Sequence, residues 1–258
     1  MKAIQIAARG MMAQQRNTEV VANNLANMNT TGYQRRRTEF TDLIYADFSR
    51  KDSVSSKAGE LVPSGVQSGL GVRLASVYRI SEQGSLVATD NSFDLAIQGH
   101  GYFQVLLPNG DTAYTRDGTF QLNAAGEMVN HDGFALQPGI NIPTEAQDVT
   151  INASGEVLVK LPGEAEPANV GTIQIASFPN QTGLKAVGDN LFQETAASGP
   201  ANVGVPQSAG FGSLLQGFIE SSNVNPVEEI AALIAAQRAY ELNSKIIKTA
   251  DQMMAPLR

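Results

Sequence analysis

The sequence predicts a mixed α and β chain. Long N- and C-terminal α-helices pair as a coiled coil, with a mainly antiparallel β body, a small barrel or sheet domain, between them. An extended hairpin or loop segment completes the plan. Three observations carry this reading. Apolar residues recur at helical spacing at both ends, turn signals cut the middle at regular intervals, and a Ser-, Gly- and Lys-rich stretch separates the first helix from the β body.

At the N-terminus, Ile4, Ala7, Met11, Val21, Leu25 and Met28 follow one another by sevens and by threes and fours. That is the seam of an amphipathic helix, weakened in its middle by Gln14 and Thr18. Gly32 tolerates left-handed dihedrals past the helix end, and Asn27 and Asn29 can help to close it. The following Arg35-Arg36-Arg37 reads as a solvated loop or as local ion-pair partners.

At the C-terminus, Asn225 is the expected N-cap and Pro226 suits the first helical position. Glu228 lies three residues past the cap, as in a capping box. Ile230, Leu233, Ile234, Gln237, Tyr240, Ile247 and Met254 then recur at three- and four-residue steps, among alanines that favour helix. Residues 1–28 and 226–254 each make a rod of roughly 42 Å at 1.5 Å per residue. Neither stripe is broad enough for a lone helix, so each requires a partner, and the simplest is the other, antiparallel. The Ala-rich faces are compatible both with packing against several neighbours and with propensity alone.

Between the helices, Asn109-Gly110, Asp117-Gly118, Ala125-Gly126 and Asp132-Gly133 punctuate short alternating runs, which predicts antiparallel meanders over about 93–187. The stretch 49–71 is too poor in apolar residues for a core and reads as a long loop or extended hairpin. A second Gly- and Ser-rich piece, 198–213, leads back to the final helix. The expected organisation is an N-terminal helix in 1–34 and a connecting domain, 35–92, holding the extended segment 44–72. A central β domain follows at 93–187, then a return connector at 188–220 and the C-terminal helix in 221–258.

Composition narrows the function. A formal net charge of −7 argues against a phosphate-seeking nucleic-acid surface. The chain has no cysteine and two histidines, so no disulfide, thiol nucleophile or ordinary zinc site is expected. No window approaches the roughly 20 apolar residues of a membrane span, so no membrane insertion is expected. Residues 1–20 hold no apolar run suited to a cleaved secretory signal. His131 stands beside Asp132, but neighbours in a tight turn rarely form a base and its orienting group. Gly99-His100-Gly101 and Gly69-Leu70-Gly71 lack the rest of a dinucleotide fingerprint. No catalytic residue, cofactor site or metal site is assigned.

Three stretches carry a family resemblance. "VANNLANMNTTGYQRRR" resembles the N-terminal signature of bacterial flagellar rod and hook proteins, and "ESSNVNPVEEIAALIAAQRAYELNSKIIKTADQMM" resembles their C-terminal one. "DLAIQGHGYFQV", "AYTRDGTFQLNAAGEMV" and "GFALQP" are similar to their shared central elements. The chain departs from the pattern chiefly in alanines where the last helix often carries Met. Its length resembles rod members more than the longer hook members, and segment 44–72 resembles one associated there with a straight, stiff rod.

The resemblance implies a structural, non-enzymatic subunit of a hollow helical homopolymer in the flagellar basal body. Its terminal helices line the channel and its β body faces envelope ring proteins. Ile4, Met11, Val21, Leu25, Met28, Ile230, Leu233, Ile234, Tyr240 and Ile247 are then assembly contacts. Proximal rod subunits and hook-side subunits are the expected neighbours. Export is expected through the flagellar type III apparatus without a cleaved signal. Another axial subunit, or an exported enzyme acting on the cell wall, stays open as an alternative.

Overall fold

A computed structural model describes residues 2–49, 66–163 and 166–254. Two long helices, α1 (Lys2–Ala26) and α2 (Pro226–Met254), enclose in sequence a series of mostly short antiparallel strands. The chain divides into two compact units. One comprises 1–26, 36–78 and 225–258; the other comprises 27–35 and 79–224.

In the helical unit, α1 and α2 pack together antiparallel. The Asn243 side chain lies over Gly10, where an added Cβ would come within 3.0 Å of it, and Asn24 meets Glu229 near the other end. The α2 start follows from local chemistry. Asn225 Oδ1 accepts from Val227 N at 3.1 Å, and its amide Nδ2 donates to Glu228 Oε1 at 3.2 Å. Arg36–Asp42 pairs with Val72–Arg79, and Tyr45–Ser49 pairs antiparallel with Val66–Gly69. The two ends of the expected extended segment therefore pair with each other; residues 50–65 lie outside the described residues.

In the β unit, Tyr102–Leu106 pairs with Thr112–Thr115, Ala135–Gln137 and Ile175–Ser177 within a nine-stranded sheet. A three-stranded meander, Asp148–Ile151, Glu156–Lys160 and Ala168–Thr172, shares its core. Phe103 and Phe120 meet edge to face at 5.2 Å among the buried Leu95, Ile97, Leu136 and Ile175. Among the described residues the strands form open sheets and no closed barrel, which decides between the two β architectures expected.

The stretch expected as a return connector is built differently. Residues 188–220 carry the strands Leu191–Gln193, Asn202–Gly204, Ser213–Gln216 and Phe218–Glu220. Ser213–Gln216 zips onto Leu95–Gln98, and Phe218–Glu220 onto Leu86–Ala88. Such short strands have too few residues to display alternation. Their Gly- and Ser-rich flanks permit close approach: an added Cβ on Gly212 would lie 2.5 Å from the Gln98 carbonyl oxygen.

Candidate assembly surface and its supports

The residues buried on the two packed helices are mostly small or polar. Ala7, Ala13, Val21 and Asn24 are buried on α1, and Glu229, Ala236 and Ala250 on α2. Alanine lets two helix backbones approach closely. Asn24 is the polar anchor. Its Nδ2 donates to Arg36 O at 2.8 Å and to Glu229 Oε2 at 3.2 Å, and its Oδ1 accepts from Arg36 N at 2.9 Å. One amide thus fixes the helix pair and the first strand at a single point.

The residues expected in the seam fall into different environments. Val21 is buried, and Ile4, Met11, Leu25, Leu233 and Ile247 are half-buried. Ile230, Ile234 and Tyr240 are exposed, as is Met28, which lies beyond the end of α1 in the β unit. On α2 the exposed apolar residues form a second face. Val227 is two residues, roughly 200°, from the buried Glu229, and Ile230 and Ile234 continue its side. Leu242, Ile246 and Met253 extend exposed apolar surface along the rest of the helix. Apolar spacing alone cannot say which of two such faces meets the partner within the chain.

In the β unit, the segment 27–35 is held as a strap. Gly32 N donates to Glu220 O at 2.7 Å, Asn223 N to Tyr33 O at 3.3 Å, and Ile80 N to Arg35 O at 2.9 Å. Asn223 Oδ1 accepts from Arg35 N at 2.7 Å, and Asn190 Nδ2 donates to Thr31 O at 2.8 Å. Gly32 stands six residues past the last helical residue, beyond the position of a simple helix stop. Its φ is +66°, and an added Cβ would lie 2.7 Å from the Arg116 carbonyl carbon. The glycine is required by close backbone approach as well as by its dihedral.

Beneath the strap, Arg116 Nη2 meets Glu220 Oε2 at 2.9 Å, both side chains being over nine-tenths buried. Arg116 Nη1 donates to Gly99 O at 2.9 Å and to Gly101 O at 2.7 Å, and Glu220 Oε1 accepts from Gly84 N at 3.1 Å. Burial raises the Glu220 carboxyl above its ordinary range, and the Arg116 charge opposes that shift. Nothing in the spacing of these two residues, 104 positions apart, announces the pair.

His131 Nε2 lies 3.2 Å from Asp132 Oδ2 and its Nδ1 3.8 Å from Asp117 Oδ2, on an exposed turn. Asp117 is raised chiefly by burial, with its Thr119 hydrogen bonds pulling the other way. Among the described residues, no three His, Cys, Asp or Glu side chains form a group that could hold a metal ion. No helix among them is long and apolar enough to cross a membrane.

Residues 4–34 match the family described as "Flagella basal body rod protein", 96–159 the "Flagellar hook protein FlgE/F/G D1 domain", and 215–256 the "Flagellar basal body rod FlgEFG protein C-terminal". The flagellar basal-body rod protein FlgG of Caulobacter vibrioides is 58% identical, over 98% of this chain and 97% of its own. The chain belongs to the flagellar basal-body rod family. FlgG of Agrobacterium fabrum is 50% identical over 98% of this chain and 97% of its own, and FlgG of Bacillus subtilis 36% over 96% and 94%. This rod protein is a structural, non-enzymatic subunit of the flagellar distal rod, a polymeric assembly within the basal body. The family matches take in most of α1, by 4–34, and all of α2, by 215–256.

Proposed function

We propose that this rod subunit polymerises through its helical unit into a hollow helical tube that passes motor torque across the cell envelope to the hook. In the tube α1 and α2 wind as a coiled coil, with residues 1–34 and 221–258 supplying the inner assembly helices. The observation that carries the reading is the second apolar face of α2. Val227 is 76% exposed and Ile230 and Ile234 each 45%, while the Ala236 face of the same helix is already used within the chain. Fully burying an aliphatic side chain is worth about 1.5–3 kcal/mol, so a helix that leaves several exposed is stabilised by a neighbour.

Ile4, Met11, Val21, Leu25, Met28, Leu233, Tyr240 and Ile247, with Ile230 and Ile234, are the proposed seam and intersubunit contacts. Proximal rod subunits, hook-side subunits and envelope ring proteins are the proposed neighbours, and the flagellar type III apparatus the export route. Segment 44–72 is proposed as a brace along an adjacent subunit that opposes bending.

The test compares the full chain with an Ile230→Asp, Ile234→Asp variant by sedimentation and electron microscopy at rising concentration. The parent is expected to form tubes and the variant to stay monomeric with unchanged helix content. A variant that assembles as readily as its parent would remove this face from the interface.

A further inference from the structure

The helical unit carries a groove of about 410 Å³ between α1 and the strand Val72–Arg79. Met12, Val72 and Leu74 give it apolar walls; Arg9, Arg16 and Arg73 give it positive charge. Met12, on its lining, is 68% exposed. Arg9 Nη1 donates to Leu70 O at 2.8 Å, and Arg16 Nη1 pairs with Glu19 at 2.7 Å on the exposed helix surface.

We propose that this groove seats the first two turns of α2 from a second copy of the chain. The proposal rests on the rod reading above and names the partner surface for it. Three properties match. Arg9 to Arg16 on α1 and Val227 to Ile234 on α2 each span seven residues, about 10.5 Å of helix. The ridge is apolar at Val227, Ile230 and Ile234, as the groove is at Met12, Val72 and Leu74. The first two turns of α2 carry the exposed Glu228 and no cation, whereas the groove is lined by three arginines.

The ridge cannot fill its own groove. Within one chain α2 meets α1 through its Ala236 and Glu229 face, which leaves the Val227–Ile234 side turned away from α1. A groove on one surface and its complement on another make a heterologous contact. Repeated, such a contact generates a ring or an open helix of subunits.

The native chain has no cysteine, so engineered thiols report without background. Met12→Cys and Ile230→Cys variants of the full chain are mixed, assembled and oxidised, and the covalent species identified by mass spectrometry of the linked peptides. A second pair, Val72→Cys with Ile234→Cys, covers the case in which the first fails to assemble. Disulfide-linked dimers from the mixture, absent from either variant alone, are the expected result. Tubes that form without this cross-link overturn the groove while leaving the rod reading intact. Cross-linking of Met12→Cys alone overturns it in favour of a two-fold groove-to-groove contact. Failure of the unmodified chain to assemble at any concentration overturns both.

Discussion

Arg116 and Glu220 form an ion pair at 2.9 Å with both side chains buried, and the backbone groups around it belong to two separate stretches of the chain, at Gly84 and at Gly99–Gly101. Glu220 O also accepts from Gly32 N, which ties the strap to the same point. The pair is therefore a junction of chain crossings within the β unit. Losing one partner leaves the other charge buried and uncompensated, which in proteins costs about 3–5 kcal/mol. Glu220→Gln is expected to lower the unfolding free energy of the β unit by that order, measured by denaturant titration.

The same carboxylate sets a pH dependence. Its folded-state pKa is raised, mainly by burial. A raised carboxyl binds its proton more tightly in the folded state than in the unfolded one. The contribution is fully present below the unfolded value and is lost as pH rises through the folded one. The stability of the parent minus that of Glu220→Gln should thus fall as pH increases from the ordinary glutamate range upward. A difference that grew with pH would mean that Arg116 outweighs burial.

Asn24 makes three hydrogen bonds from one buried amide. Asn24→Ala should cost about 1–3 kcal/mol, because the Arg36 backbone and Glu229 lose a partner without gaining water. Asn24→Asp should cost more at neutral pH, since it sets a second carboxylate against Glu229, and should recover on acidification. Helix loss on heating, followed by far-ultraviolet circular dichroism across pH, separates the two.

Gly32 has no room for a side chain. Gly32→Ala combines a left-handed alanine, at roughly 1–2 kcal/mol, with overlap against the Arg116 and Asp117 backbone. Amide exchange should show residues 27–35 losing protection while Phe103 and Val105, in the core, keep theirs. Uniform loss across the β unit would mean that the strap is integral to the core.

Asn225→Ala should remove about 1 kcal/mol from α2, the usual worth of an N-cap. The loss should appear as fraying at Val227 and Glu228, whose backbone and carboxylate the Asn225 side chain engages. Equal protection in variant and parent would assign the helix start to packing instead.

The start of α2 is legible in the local chain, because Asn225, Pro226 and Glu228 act within one helical turn of each other. So are turns such as Asn109-Gly110, where Gly110 sits at φ +86°. These are local effects, complete within a few residues. Tertiary structure alone decided which face of α2 is used inside the chain: Ala236 and Glu229 lie against α1 while Ile230 and Ile234 stay exposed. Burial depends on what stands opposite, and helical spacing marks both faces alike. It also decided that 188–220 would carry short strands, since segments of three or four residues draw their order from partners such as Leu95–Gln98. The Arg116–Glu220 pair belongs to the same class, for its energy exists only where the fold removes water from two residues distant in sequence.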